Sequence, residues 1–309
     1  MASLFSEGKF VAEYAAYAAF KAFLRLFSYH FMLKGANRIG EWIFYYIGIR
    51  RHVALANLRY AFGDQYQGRT VESISRKMYG HFSKMAMEMA NMDRIMKRID
   101  QYVQIRHIDR FKDALRGGKG AILATGHFGN FEIGALAMAM AGLPITLTIK
   151  PLRNPFLDRQ LKDFRRTLGT EMVNVNESSR PILSALKRNR VVCLLGDQDV
   201  GQFRGTTVDF FGHPTSAPIG TARMALHTGA PILPTFIFRE ESGIHVVEVE
   251  HPLDVDYAKH RREKEIQRIT QTLTTDLERW VRRYPEQYFW VHRRWKSNPD
   301  GEWLYSEKR

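Results

Sequence analysis

Apolar and polar positions alternate in two distinct periods along this chain. Val71, Ile74, Met78, Phe82, Met85 and Met89 recur at three- and four-residue steps, so 70–92 reads as an amphipathic helix with a methionine-rich core face. From 119 onward, short apolar runs alternate with helix-period segments. The runs 120–125, 144–149, 171–175, 190–196, 231–238 and 244–250 predict strands, and 131–141, 155–168, 179–188 and 218–228 predict helices. Ile266, Ile269, Leu273, Leu277 and Trp280 mark a last amphipathic helix ending before Pro285. This alternation predicts an α/β fold with a central, largely parallel or mixed sheet flanked by helices. With no internal repeat, low-complexity tract or polar linker, the pattern describes one domain with a helical N-terminal extension.

Residues 8–33 are rich in Ala, Phe, Tyr and Leu, but Lys9, Glu13, Lys21 and Arg25 interrupt them. The uncharged stretches are too short for a standard spanning helix, and no signal peptide with a cleavage site is evident. On a helical wheel the four charges occupy roughly half the circumference, and Ala12, Ala15, Ala19, Ala22, Phe23 and Leu26 lie in the other half. Glu41-Trp42-Ile43-Phe44-Tyr45-Tyr46-Ile47 follows, then Arg50-Arg51. Aromatics beside arginines suit a bilayer interface, and a pair of ordinary core helices would carry the same pattern.

Composition narrows the function classes. A chain of 309 residues can bury a large core, and 45% hydrophobic content excludes wholesale disorder. One cysteine excludes an intramolecular disulfide, and the sequence holds no Cys/His cluster that would make a zinc site. Cys193 sits in Val191-Val192-Cys193-Leu194-Leu195, the setting of a buried structural thiol in a reducing compartment. The net charge of +14 calls for an anionic partner: nucleic acid, membrane lipid or an acidic protein.

The candidate chemistry lies in Thr125-Gly126-His127-Phe128-Gly129-Asn130-Phe131-Glu132. His-x4-Asp/Glu is a weak pattern: with 11 histidines and 32 acids, about one match arises by chance and the chain has four. His245 with Glu250 falls on a strand-like run that puts them on opposite faces. His251 with Asp256 reads as a loop, and His260 with Glu265 as a solvated helix start. Only His127 follows a strand-like run, through a glycine turn, into a helix. Five residues of regular helix turn about 500°, so His127 and Glu132 meet only if His127 lies in the turn and Glu132 on the first helical turn. Gly126 and Gly129 permit that turn, and Asn130 suits an N-cap. A carboxylate there would fix the imidazole tautomer and leave the other ring nitrogen as a base, with helix-start amides beside a developing oxyanion. A turn histidine beside an ordinary helix-start glutamate would give the same spacing.

Ligands in open α/β sheets gather at the carboxyl ends of strands. Three loops, at His127, at Gly196-Asp197-Gln198-Asp199 and at Lys150-Pro151-Leu152-Arg153-Asn154-Pro155, are expected to share that rim. Arg165, on the helix after the third loop, could bind phosphate or carboxylate through its planar fork or simply face solvent. The run Tyr288-Phe289-Trp290-Val291-His292-Arg293-Arg294-Trp295-Lys296 interleaves aromatic and basic side chains, as a single-stranded nucleic-acid or anionic-bilayer surface would.

Taken in order, these blocks resemble the bacterial lipid A late acyltransferases of the lauroyl/myristoyl type. His127-Phe128-Gly129-Asn130-Phe131-Glu132 is similar to that family's His-x4-Asp/Glu motif. Arg50-Arg51-His52-Val53-Ala54-Leu55-Ala56-Asn57-Leu58 with Phe62 resembles its N-terminal block. Asn154-Pro155 with Arg165-x3-Gly169 resembles a donor or acceptor loop, and Asp197-Gln198 with Val208-Asp209-Phe210-Phe211-Gly212 the segment after the central strand. Pro285-Glu286-Gln287 leading into Tyr288–Lys296 resembles the closing block, so the likeness runs from about 10 to 300.

The resemblance implies a membrane-associated acyltransferase at the cytoplasmic face of a bacterial inner membrane. Residues 1–48 would be membrane-interface helices, attached shallowly or peripherally, and 49–309 the acyltransferase domain. His127 would be the general base and Glu132 its orienting and charge-stabilising partner. Transfer from acyl carrier protein or acyl coenzyme A to a lipid A precursor or related glycolipid would need no metal, no cofactor and no covalent acyl-enzyme. Asn130, Arg153, Asn154, Arg165, Asp197 and Gln198 would bind substrate. Phosphatidylinositol mannoside acyltransferases belong to the same family, so the acceptor stays open. Nucleic acid is then not expected as a partner.

Overall fold

The computed structural model describes residues 2–63, 68–175, 179–201, 203–258, 262–298 and 304–306, with side chains of 2–6 and 69 excepted. Helices α1 (Ala2–Leu24), α2 (Tyr29–Trp42), α3 (Arg51–Phe62) and α4 (Gly68–Ala90) come first, with a π-helical turn, Ile43–Ile47, after α2. Short α5 (Met92–Met96) and α6 (Ile99–Tyr102) lead to β1 (Val103–Arg106) and α7 (Asp109–Arg116). The alternating region follows as β2 (Ala121–Thr125), α8 (Phe131–Met140), β3 (Ile145–Ile149), α9 (Pro155–Thr167), β4 (Glu171–Asn174), α10 (Arg180–Lys187) and β5 (Val191–Leu195). A hairpin, β6 (Gly205–Phe210) and β7 (His213–Pro218), precedes α11 (Gly220–Thr228), β8 (Ile232–Arg239), β9 (His245–Val249) and α12 (Arg262–Arg283).

Seven strands form one sheet in the order β1-β9-β8-β2-β5-β3-β4, parallel throughout except where β8 meets β9 antiparallel. The continuous apolar runs are explained by helices on both faces. Leu123, Leu147, Cys193, Ile237 and Val247 pack on the α7 and α8 side, and Ile122, Val192 and Ile232 on the side of α10, α11 and Ile269 of α12. The sheet and its flanking helices therefore match the sequence reading. Neither β1 nor the β6–β7 hairpin was expected, nor were the short helices α3, α5, α6 and α7. β1 is too short to carry a period, and the β6–β7 hairpin has two prolines in its second strand, which reads as loop. Phe211 and Gly212 make its two-residue turn, both at positive φ.

The methionine-rich helix α4 is buried on more than one face, because α2 crosses it where Gly40 meets Gly80. A Cβ on Gly40 would lie 2.4 Å from the Gly80 nitrogen, so the crossing requires glycine. α1 has an unusual orientation. Ala12, Ala15, Ala19, Ala22, Phe23 and Leu26 are all exposed, while the partly buried Lys21 and the exposed Arg25 pair with Asp93 and Glu13 reaches the Asn154 amide. A core helix would do the reverse. The reading of α1 as an ordinary core helix is corrected: its charge-free half faces outward. Among the described residues no helix is long and apolar enough to cross a membrane. His260 lies outside the described residues.

Candidate functional site

His127 sits in the turn between β2 and α8, at the carboxyl edge of the parallel strands. The turn is tied down residue by residue. Gly129 takes φ +59, and a Cβ there would fall 1.8 Å from the Ile237 carbonyl oxygen, so no other residue fits. The Gly129 N–H donates to the Gln287 carbonyl (2.9 Å) and the Phe289 N–H to the His127 carbonyl (3.1 Å). Phe128 is fully buried and bridges Tyr288. The aromatic-basic closing block is thus the clamp on this turn: Tyr288, Trp290, Arg294 and Trp295 are all buried, which corrects the expectation that the block forms an aromatic binding surface.

The partner of His127 is Asp197, past the end of β5. Nδ1 lies 2.7 Å from Asp197 Oδ1. An ionised carboxylate offers only acceptors, so Nδ1 carries the proton and Nε2 presents its lone pair. Gln198 Nε2 stands 3.5 Å from His127 Nε2, at the outer limit of a hydrogen bond. Burial opposes ionisation of Asp197, but the facing His127, through its charge and its ring and backbone N–H, and the more distant Arg294 guanidinium hold the carboxyl below its ordinary value. The buried Tyr288 hydroxyl also bonds to it. For His127, burial disfavours the charged ring, the Asp197 charge and hydrogen bond favour it, and the balance lies above the ordinary histidine value.

Glu132 is engaged elsewhere. Arg165 grips it through Nε (2.6 Å) and Nη2 (2.8 Å), a two-pronged ion pair in which both side chains are largely buried. Two sequence expectations are corrected together: Glu132 does not orient His127, and Arg165 spends its fork on Glu132. Both still line the cavity that His127 faces. Asn130 is fully buried; its Oδ1 caps α8 at the Ile133 N–H (3.2 Å) and its Nδ2 donates to Glu88. Asn154 caps α9 at the Phe156 and Leu157 N–H groups and donates to Phe10 O and Glu13, which docks α1. Both amides are thus engaged within the fold. Arg153 is exposed and outside the cavity lining, whereas Asp197 and Gln198 join His127 as the shared rim predicts.

The cavity holds about 490 Å³ and is mainly apolar. Val247 of β9, Ile237 and Thr235 of β8, Leu123 and Thr125 of β2, Cys193 and Leu195 of β5, and Leu147 and Ile149 of β3 make its floor. Gly134, Ala135 and Met138 of α8 make the roof. Five neighbouring strands, about 4.8 Å apart, give the floor a width of about 19 Å. Burial pushes the Cys193 thiol up to about 12, so the one cysteine is an inert wall residue. Among the described residues no His/Cys/Asp/Glu group is arranged to hold a metal. The rim can therefore take a proton at His127 Nε2 while an apolar chain lies under α8.

Sequence reasoning missed Glu88. It is fully buried on α4 and binds Arg239 (2.6 Å), His245 (3.0 Å), Tyr29 (2.5 Å) and Asn130 (2.9 Å). The only signal was an acid amid Met85, Met87 and Met89.

A model of the family described as bacterial lipid A biosynthesis acyltransferase matches residues 6–297. The phosphatidylinositol mannoside acyltransferase of Mycobacterium tuberculosis H37Rv is 32% identical over 175 residues, 55% of this chain and 54% of that protein. The match thus spans about half the length of this mycobacterial relative. The lipid A biosynthesis acyltransferase of Haemophilus influenzae is 25% identical over 277 residues, 88% of this chain and 84% of that protein. The lipid A biosynthesis palmitoleoyltransferase of Escherichia coli K12 is 25% identical over 277 residues, 86% and 85% of the two chains. With nearly its whole length matched, the chain belongs to the bacterial lipid A biosynthesis acyltransferase family.

Proposed function

We propose that the protein transfers a fatty acyl chain from an acyl thioester to a hydroxyl of an anionic glycolipid, a lipid A precursor or a phosphatidylinositol mannoside. The observation that carries this reading is the pair of partly exposed His127 and buried Asp197 at the mouth of the 490 Å³ apolar cavity. His127 Nε2 takes the proton of the acceptor hydroxyl as its oxygen attacks the thioester carbonyl carbon. Asp197 holds the ring and stabilises the imidazolium. The first turn of α8 sets the positive end of its dipole toward the oxyanion. The C–S bond then breaks, and the leaving thiolate takes the proton from His127. No acyl-enzyme forms. The acyl chain lies under α8, where each buried methylene contributes about 0.8 kcal/mol. The thioester donor is carried by acyl carrier protein or coenzyme A.

The exposed face of α1 and the aromatics beyond it favour attachment to the cytoplasmic face of the bacterial inner membrane. Leu26 and Tyr46 are each 78% exposed, and Phe23, Phe31, Trp42 and Ile49 more than half exposed. Lys34 and Arg38 lie exposed among them, as an anionic interface requires. Purified protein offered both thioesters and both glycolipids should acylate one glycolipid. Folded protein that acylates neither would count against the assignment. A basic membrane-surface protein without catalysis would instead bind anionic vesicles in a salt-sensitive way and show no His127-dependent acylation.

A further inference from the structure

The Glu88 carboxylate touches neither the cavity nor the groups that move protons, yet four donors saturate it. Oε1 accepts from the Tyr29 hydroxyl and His245 Nε2, and Oε2 from Arg239 Nη2 and Asn130 Nδ2. Buried ion pairs add little stability over apolar residues of equal volume, so stability alone does not account for a charge here. What sets this cluster apart is where its contacts lead. Asn130 is the N-cap of α8 and lies three residues from His127; the hydrogen bond to Glu88 fixes which way its amide faces, and so keeps Oδ1 on the Ile133 N–H. Arg239 leads to the other side of the same turn. Its N–H and C=O pair with the Gln287 side chain at 2.8 Å each, and the Gln287 carbonyl accepts from Gly129. His81, about two turns of α4 before Glu88, donates to the Gly129 carbonyl.

We infer that Glu88 is a positioning residue for the acyl transfer proposed above: through Asn130 and through Arg239–Gln287 it holds both sides of the 126–130 turn and so sets where His127 Nε2 points. The inference rests on that functional reading for its kinetic consequence, but the geometric consequence stands apart from it.

The test uses Glu88→Leu, which removes both acceptor oxygens, and Asn130→Asp, which keeps the cap oxygen but sets two carboxylates together. Glu88→Gln is the conservative control: Asn130 and Arg239 share Oε2, so an amide oxygen placed there still accepts from both. Glu88→Leu and Asn130→Asp should each lower kcat at least tenfold with the thioester KM within twofold, and Glu88→Gln should stay within a few-fold of wild type. Folded Glu88→Leu or Asn130→Asp with kcat near wild type, or Glu88→Gln as slow as Glu88→Leu, would overturn the inference. Should Glu88→Leu fail to fold, Asn130→Asp decides by the same criterion. Proton NMR supplies a readout independent of the reaction. The hydrogen-bonded Nδ1 proton of His127 should be sharp and far downfield in the wild type and Glu88→Gln, and broadened or shifted in Glu88→Leu and Asn130→Asp. If no variant, nor the wild type, transfers acyl groups while this signal follows the pattern, the functional reading fails and the positioning role holds. An unchanged signal in folded Glu88→Leu and Asn130→Asp overturns the positioning role.

Discussion

Replacing Asp197 with asparagine removes one negative charge from beside His127 and changes little else in shape. The carboxylate is 4% exposed and its Oδ1 lies 2.7 Å from Nδ1. Taking the centres of the two charges as about 4 Å apart with an effective dielectric near 20, the lost imidazolium stabilisation is about 4 kcal/mol. That corresponds to a rate loss on the order of a thousandfold. The new amide also sets an NH2 group among the donors of Tyr288 and the His127 backbone, so the loss should not be smaller. Single-turnover acyl transfer with bound thioester measures this directly, with thermal unfolding as the check on folding. The pH profile gives a second reading. Only the neutral ring accepts a proton, so kcat/KM in the wild type should fall as pH drops through an apparent pKa above 6.5, where Asp197 holds the ring. Without Asp197, burial is the remaining influence and moves that limb downward. A folded Asp197→Asn protein within tenfold of the wild-type rate, with its acid limb unmoved, would refute the reasoning.

Three other outcomes are expected. Gly129→Ala forces a methyl group to within 1.8 Å of the Ile237 carbonyl oxygen at φ +59, so it should cost more than about 4 kcal/mol in chemical denaturation; a normal midpoint would contradict the turn geometry. Buried His81 has its pKa pushed down to about 3 by burial and by Arg239, against 6.5 in the unfolded chain. Its stabilising contribution is complete above 6.5 and is lost as pH falls toward 3, at up to about 1.4 kcal/mol for each unit of pH, so His81→Gln should flatten the stability–pH curve in that window. Trp42→Ala with Tyr46→Ala, both at exposed positions, should weaken binding to anionic vesicles at least tenfold while leaving thermal unfolding unchanged; equal binding would place the membrane contact elsewhere.

Much of this fold was legible because its strands are short, apolar and separated by strongly periodic helices. The six expected strands and four expected helices of the alternating region all form, with ends shifted by a residue or two. The proposed base was legible for a related reason: strand, glycine turn and N-cap asparagine make a local signature around His127. Its partner was legible only as a loop expected on the same rim. Asp197 lies 70 residues away and meets His127 only because β2 and β5 are neighbours in the sheet, a register no local pattern records. Glu132 carried the spacing but was drawn to Arg165, whose approach depends on how α9 crosses α8. The closing block misled for a physical reason as well. Its aromatics and arginines have the composition of a binding surface, and burial of Trp290, Arg294 and Trp295 is decided by tertiary packing alone.

The most direct test of the account is acyl transfer by His127→Ala, measured alongside its binding of thioester and of lipid vesicles. The account predicts folded protein that binds both and transfers at a rate lower than the wild type by at least a thousandfold, since neither Gln198 nor the inert Cys193 can take the hydroxyl proton. Turnover near the wild-type rate would remove His127 from the chemistry and contradict the account at its centre.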